Sequence, residues 1–214
     1  MRHINLYFIF TQMRLLTILF LLFVQRTQAQ TDSLGIIKTS QKFQQELNKA
    51  YKNKKTSPLN PADLRKFKRH DFFAIDTRYA VTAKVTLTPS APYKPMAATG
   101  PIVVQYRSYA LIEFELDGKA CQLTLYQSKE LMNNPEYHDH LFLPFTDQTT
   151  GSESYGGGRY LDVRIPQGET MWINFNLAYN PYCAYSNRYS CPRVPANNDL
   201  PVAIKAGVRF ESNY

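Results

Sequence analysis

Residues 110–126 read ALIEFELDGKACQLTLY and predict a pair of antiparallel β-strands. Side chains alternate between apolar and polar on both sides of Asp117-Gly118, which is typical of strands with one buried face. Ile112 and Phe114 are expected to face inward, and Glu113 outward. Asp and Gly both tolerate a positive φ, so the dipeptide predicts a tight hairpin turn.

The same two-residue period recurs on both sides of this hairpin. It predicts further short strands, with no helix between them, at residues 79–87, 102–107, 141–145, 160–165, 171–175 and 202–205. Strands in such a series favour an antiparallel β-sandwich or a barrel-like domain over a parallel α/β fold. Upstream, residues 32–51 carry apolar side chains at helical spacing, which predicts a short N-terminal helix. The fold class is therefore mainly β with one N-terminal helix.

The first 29 residues have the pattern of a secretory signal peptide. Arg14 precedes the apolar run LLTILFLLFV of residues 15–24, and the small residue Ala29 marks a cleavage point. Such a run is too short to span a bilayer, which needs roughly 20 residues. We expect an exported protein, periplasmic or secreted, with no membrane span after cleavage. An uncleaved anchor is the alternative, and Met1 and Met13 both fit as the start.

Removal of that segment would lower the net charge by three units. It would leave an N-terminal helix with a linker, followed by one β domain. The whole chain has a formal net charge of +8, and loss of its first 29 residues leaves 22 bases against 17 acids. Residues 30–56 are expected to form the helix and a linker, and residues 57–214 one β domain. Many bases lie within residues 49–69, which suits either a solvated helix or a patch for an anionic polymer or membrane surface. No segment resembles a nucleic-acid-binding module, so nucleic acid is not an expected partner.

Three cysteines allow at most one disulfide within the chain. Cys121 has alternating apolar neighbours and reads as a buried thiol. Cys183 and Cys191 are eight residues apart in a loop bent by Pro181 and Pro192, and an oxidising compartment would preserve a bond between them. We predict a Cys183–Cys191 disulfide; an unbridged Cys183 that acts as a nucleophile with His138 is the alternative.

The segment from Tyr155 to Tyr160, YGGGRY, contains three consecutive glycines. A phosphate-binding loop would require a helix after the glycines, whereas here a strand follows, so that interpretation fails. The glycines instead suit positive φ or close approach of another backbone. A buried Arg159 would need a carboxylate partner, for which Glu153 and Asp147 are candidates. The pair could bind an anionic ligand group or brace the loop.

Catalytic chemistry is suggested only weakly. Glu153 and Asp162 could act as general acid and base, but sequence spacing does not place them together. No Gly-x-Ser-x-Gly motif supports a serine hydrolase. His138 and His140 would share one side of an extended segment; a metal site there would need a third ligand, for which Glu136 or a distant carboxylate could serve, and the alternative is a solvated pair. We expect neither a metal nor a cofactor, and whether the protein is an enzyme stays open.

Residues 179–185, YNPYCAY, combine aromatic rings with an amide in a predicted turn. Such groups bind sugars and other flat polar ligands by stacking and hydrogen bonding, although the rings could instead pack on the sheet. A pocket between the 147–162 and 179–192 loops would make this a small-molecule or glycan binding module. A hydrolytic or metal-assisted enzyme and a purely structural domain are the alternatives. The candidate ligand-binding residues are Asp147, Glu153, Tyr155, Arg159, Tyr160, Tyr179, Asn180 and Tyr185.

With these motifs in order, the chain resembles the DUF1684 family of bacterial and archaeal domains. The resemblance runs from about Ser57 to Gly207. It is carried by FFAID at 72–76, FELDG at 114–118, PF-x-D at 144–147, ESYGGGRYLD at 153–162, NP-x-CAY at 180–185, CP at 191–192, and LPV-x-I-x-AG at 200–207. It implies a mainly β domain and no particular activity, since none is established for the family.

Overall fold

The protein is described from a computed structural model over residues 33–210. Three helices and seven strands have the following bounds: α1 33–52, α2 Pro61–Lys66, β1 Ala80–Leu87, β2 Lys94–Pro95, β3 Gln105–Leu116, β4 Lys119–Ser128, α3 Lys129–Met132, β5 His140–Phe145, β6 Arg159–Arg164 and β7 Thr170–Asn174. The predicted signal peptide lies outside the described residues. No helix in the described part of the chain is long and apolar enough to cross a bilayer.

All strands join one antiparallel sheet in the order β6-β5-β4-β3-β1-β7, with β2 added against β3. The β3–β4 hairpin turns at Asp117 and Gly118, whose φ angles are 50° and 71°. After β7 the chain crosses to the opposite edge, where Tyr179 bridges to Tyr160 of β6. The sheet curls into a half-barrel. The predicted mainly β, antiparallel, barrel-like fold with an N-terminal helix is confirmed.

The main core fills the concave inner face of this sheet. Ile112 and Leu123 are fully buried there, and Glu113 points outward, as the alternating pattern predicted. A smaller apolar cluster of Tyr126, Phe142 and Tyr160 lies separately from this core. Because successive residues of a strand alternate between faces, β6 contributes to both clusters.

Two predicted strand assignments differ from the structure. Residues 102–107 and 110–116 were expected to form separate strands, but residues 105–107 and all of 110–116 belong to the single strand β3, with a register shift between Ser108 and Ala110. Residues 202–205 are not a strand, although Ile204 is fully buried. The Ile204 N–H donates to an Asp147 carboxylate oxygen (3.1 Å), and its carbonyl accepts from Arg159 (2.7 Å). Side chains therefore satisfy this backbone in place of a neighbouring strand.

The bounds of α1, 33–52, agree within one residue with the predicted helix over residues 32–51. The helix packs against the end of β7. Ser40 is fully buried on α1, and its hydroxyl accepts a hydrogen bond from the Asn174 side chain (3.2 Å). The Asn60 side chain caps α2 by accepting from two backbone N–H groups, each at 2.9 Å. Farther along α1, Phe43 and Leu47 line a cleft together with residues of β6 and of the 179–191 segment, where the candidate site lies.

Candidate functional site

Arg159 and Asp147 form a buried ion pair on the inner face of the half-barrel. Both side chains have no exposed surface, and Arg159 Nη2 donates to Asp147 Oδ2 at 2.8 Å. The guanidinium also donates to the carbonyls of Ile204 and Ala206. Burial lowers the pKa of Arg159, and the Asp147 carboxylate opposes that shift. Of the two carboxylates predicted as partners of Arg159, Asp147 is therefore the one that pairs with it.

The remaining acceptor capacity of Asp147 is used to hold its own loop. Its Oδ1 atom accepts from the backbone N–H and the hydroxyl of Thr149, at 2.8 and 2.7 Å, as well as from Ile204. Thr149 in turn hydrogen-bonds Ser154. Asp147 and Arg159 were predicted to contact a ligand, but the structure gives them no access to one. They brace the loop from inside.

Glu153 lies apart from this buried pair. Its half-exposed carboxylate forms an ion pair with Lys205 at 2.9 Å. It does not contact Arg159, and it is not among the residues that line the cleft described next. The structure therefore does not bring Glu153 and Asp162 together as a catalytic acid and base.

A cleft of about 360 Å³ opens on the outer side of β6, and we call it the tyrosine cleft. Helix α1 forms one wall and the segment after β7 the other. The described lining residues are Phe43, Leu47, Tyr160, Asp162, Tyr179, Pro181, Tyr182 and Cys191. Its walls are thus mostly aromatic and aliphatic, with a single carboxylate among these residues.

Asp162 is the polar group of the tyrosine cleft. Its side chain is 51% exposed, and its two oxygens accept separately from the Tyr179 hydroxyl (2.8 Å) and from His140 Nε2 (2.9 Å). Burial and then the charge of Asp162 raise the pKa of Tyr179, so that hydroxyl keeps its proton and remains a donor. The carboxylate is held in one orientation while part of it faces solvent.

Tyr160 and Tyr182 shape the cleft from two directions. Tyr160 is buried, donates its hydroxyl proton to the Pro192 carbonyl, and packs edge-on against Tyr179 with ring centroids 6.0 Å apart. Tyr182 is 46% exposed and rests against Tyr189, with centroids 5.1 Å apart. Tyr160 therefore forms a fixed wall, and Tyr182 offers an accessible ring.

Three further predicted ligand-binding residues lie behind the cleft instead of in its lining. Asn180 is buried and donates to the Tyr185 hydroxyl (2.9 Å), which lies 3.3 Å from Nδ1 of His70. The Tyr155 ring packs on Phe210. These polar and aromatic contacts hold the 179–185 segment against the body of the domain.

Cys183 and Cys191 are thiols in contact with each other. The Cys183 backbone N–H donates to Cys191 Sγ at 3.2 Å, and both cysteines are unbridged in this structure. The predicted disulfide between them stays a prediction. Cys121 lies on β4, buried in the main core as predicted.

His138 and His140 do not converge on a common point. His138 is exposed and its Nδ1 atom hydrogen-bonds the Pro135 carbonyl, whereas His140 is directed at Asp162. Within residues 33–210, no group of three or more His, Cys, Asp or Glu side chains is arranged to hold a metal ion.

Sequence reasoning missed several residues of this region. Phe43 and Leu47 were placed on an amphipathic helix but not in a site. Their four-residue separation did signal one shared helix face. Tyr182 lay inside the aromatic segment already singled out. His70 stood in a basic stretch with no signal that it would be buried.

Comparison with known proteins identifies a family and a similar structure for the chain, and neither has an assigned activity. Residues 65–209 match the family described as "Protein of unknown function (DUF1684)". The solution NMR structure of an uncharacterised protein from Haloarcula marismortui is similar, with 31% sequence identity and a TM-score of 0.67. The match covers 86% of this chain and 98% of that one. No curated protein matches the chain.

Proposed function

The chain belongs to the DUF1684 family of unknown function, and we propose that it binds a small polar molecule or glycan in the tyrosine cleft. One observation carries this proposal. A half-exposed carboxylate, Asp162, stands at the side of an open cleft whose other lining residues are largely aromatic or aliphatic. Ligand sites commonly combine apolar walls with a few oriented polar groups.

The size and walls of the cleft suit a ligand of the dimensions of one or two sugar rings. Its volume of about 360 Å³ falls within the range of small-molecule sites. The exposed face of Tyr182 can stack on the C–H face of a ring, and Phe43 and Leu47 offer apolar surface opposite it. Such contacts fix the plane of the ligand without requiring charge.

Asp162 has acceptor capacity left for the ligand. An ionised carboxylate offers about four lone-pair positions, and Tyr179 and His140 occupy two of them. Ligand hydroxyl or amino groups can donate to the others. None of the described lining residues is Lys or Arg. The cleft therefore favours neutral or cationic ligands over anionic ones.

A hydrolytic function has less support than binding. The two carboxylates proposed for it, Glu153 and Asp162, have separate partners, Lys205 on one side and Tyr179 with His140 on the other. A paired acid and base would need to face one substrate bond. The arrangement supports a single acceptor that orients a ligand.

Titration calorimetry on the chain from residue 30 onward tests the proposal. The probes are neutral mono- and disaccharides, an amino sugar and a uronic acid. We expect the neutral or amino sugars to bind, and Asp162→Asn to weaken that binding roughly tenfold through loss of a charge-assisted hydrogen bond. Tyr182→Ala should weaken it as well.

Matched controls are available for both variants. Glu153→Gln changes a half-exposed carboxyl outside the cleft, and Trp172→Ala removes an exposed ring from β7, at the other edge of the sheet from β6. Both should bind like the parent protein. Absence of binding by every probe sugar, or equal affinity of the Asp162→Asn variant and the parent, overturns the proposal.

We further propose that the protein acts outside the cytoplasm, in the periplasm or as a secreted protein. The support is the charged, apolar and small-residue order of residues 14–29. Expression of the full sequence in a bacterial host, followed by fractionation and N-terminal sequencing, provides the test. A new N-terminus at Gln30 in the exported fraction is expected, and an intact N-terminus in the cytosol contradicts it.

A further inference from the structure

The pair of thiols at Cys183 and Cys191 has the arrangement of a reactive dithiol. The Cys183 backbone N–H donates a hydrogen bond to Cys191 Sγ at 3.2 Å, which holds the two residues together. Eight residues separate them along the chain. Neither sulfur needs a large movement to reach the other, which is the first requirement for an internal disulfide.

The surroundings of the two sulfurs differ in a chemically useful way. Hydrogen bonds from Cys191, Thr99 and Tyr155 lower the pKa of Cys183. The pKa of Cys191 is raised, first by its hydrogen bond with Cys183 and then by burial. Cys183 is therefore the better thiolate, and Cys191 keeps its proton. This asymmetry separates an attacking thiol from a resolving one.

Access to the pair is also asymmetric. Cys183 is the more exposed residue of the two, which favours its reaction with a reagent in solution. Cys191 is buried at 7% exposure and contributes to the lining of the tyrosine cleft. The thiol with the lower pKa is thus also the more accessible one.

We propose that Cys183 and Cys191 form a redox-active dithiol that reduces low-molecular-weight disulfides. The Cys183 thiolate attacks one sulfur of the disulfide RSSR, forms a mixed disulfide, and releases RS⁻. Cys191 then attacks Cys183 Sγ, loses its proton to the departing thiolate, and releases the second RSH. The two cysteine thiols are oxidised to one disulfide, and RSSR is reduced to two thiols.

The same hydrogen bonds make the oxidised pair easy to reduce again. A disulfide is opened more readily when the sulfur that leaves is stabilised as a thiolate. Thr99 and Tyr155 provide that stabilisation at Cys183. The pair is therefore suited to cycling between two states, in contrast to a permanent structural bridge. The proposal does not depend on what binds in the tyrosine cleft.

Reaction of the chain from residue 30 onward with oxidised glutathione tests this proposal. The protein is first reduced and freed of reductant, then sampled by alkylation and mass spectrometry. We expect the parent protein to lose two thiols and retain no adduct, and reduced glutathione to reverse the change. Cys191→Ser should trap one glutathione on Cys183. In the Cys183→Ser variant, Cys191 should react with oxidised glutathione at least roughly tenfold more slowly than Cys183 does in the parent protein.

Cys121→Ser is the matched control, because it removes the cysteine of the main core and should leave the reaction unchanged. Should the serine variants misfold, limiting iodoacetamide on the parent protein gives the order of reactivity by peptide mapping, with Cys183 expected first. Equal rates at both cysteines, or a stable adduct on the parent protein, overturns the proposal. So does a Cys183–Cys191 bridge that reduced glutathione fails to open, which would instead be a structural disulfide.

Discussion

Arg159 and Asp162 lie three residues apart on β6, yet they occupy opposite kinds of environment. Arg159 faces the core, has no exposed surface, and is neutralised by Asp147. Asp162 faces the outer side, is half exposed, and borders an open cleft. A single conspicuous motif, ESYGGGRYLD, therefore supplies both a brace for the fold and a polar group for a site. Burial distinguishes the two roles, and residue type alone does not.

The largest expected effect comes from removing the brace. Arg159→Met leaves the Asp147 carboxylate buried without its counter-charge and also leaves the carbonyls of Ile204 and Ala206 without their donor. Breaking one side of a buried ion pair destabilises a protein by about 3–5 kcal/mol. Urea unfolding of the purified variant measures this loss.

The control lies on the same strand. Arg164→Met removes a guanidinium that is 55% exposed and paired with Asp139 at the surface. That change should alter the free energy of unfolding by less than about 1 kcal/mol. If both variants lost the same free energy of unfolding, burial would not explain the different contributions of Arg159 and Arg164 to stability.

His70 extends the comparison to a buried group without an ionic partner. It is surrounded by rings, with Tyr51 edge-on at 4.2 Å, and burial lowers its pKa from 6.5 to about 4. The unfolded chain therefore binds a proton between these pH values while the folded protein does not. Stability contributed by neutral His70 is fully present above about pH 6.5 and falls by roughly 3 kcal/mol as the pH drops to about 4.

Urea unfolding at pH 7 and pH 4.5 tests this pH dependence. His70→Gln should reduce the difference in unfolding free energy between the two pH values by roughly 2–3 kcal/mol. His138→Gln, on an exposed turn, should leave it unchanged. If the unfolding free energy of the His70→Gln protein differed between pH 7 and pH 4.5 as much as that of the parent protein, groups other than His70 would cause the loss of stability in acid.

The glycine run before β6 offers a comparison of two neighbouring positions. Gly158 has a φ of 84°, and an added Cβ would lie 2.7 Å from the Phe145 carbonyl oxygen. Gly156 has an ordinary φ, and an added Cβ would make only an ordinary van der Waals contact with Gly151 Cα at 3.8 Å. Gly158→Ala should cost about 1–3 kcal/mol, since strain and a backbone clash act together. Gly156→Ala should change stability by less than about 0.5 kcal/mol. Thermal denaturation of both variants measures the two changes in stability, and equal changes would contradict the prediction.

The sequence was sufficient for the parts of the molecule that depend on local pattern. Alternation predicted the β3–β4 hairpin and its buried face, and the glycines before β6 predicted a positive φ and a close backbone approach, both found at Gly158. The need of a buried arginine for a carboxylate narrowed the partner of Arg159 to two residues. These inferences rest on one strand or one loop at a time.

The rest depended on contacts between distant segments. Residues 202–205 alternate like a strand, but Asp147 and Arg159 satisfy the backbone there, and no local pattern reveals that. The tyrosine cleft requires Phe43 of α1 to meet Tyr182 across the outer side of the sheet. Periodicity identifies the apolar face of a helix but not the surface that the face covers.

The change in stability expected at Asp162 is small, and it completes the comparison with Arg159. Asp162→Asn keeps the shape of the side chain but leaves a single acceptor oxygen. Of the two charge-assisted hydrogen bonds, from Tyr179 and His140, one becomes neutral, and the other is lost or reverses its direction at this half-exposed position. Solvent replaces much of what is lost, so the free energy of unfolding should fall by less than about 1 kcal/mol. Urea unfolding measures this change beside that of Arg159→Met. A loss at Asp162 as large as the loss at Arg159 would make it a second brace, whereas a small loss combined with weakened sugar binding identifies a residue kept for the ligand.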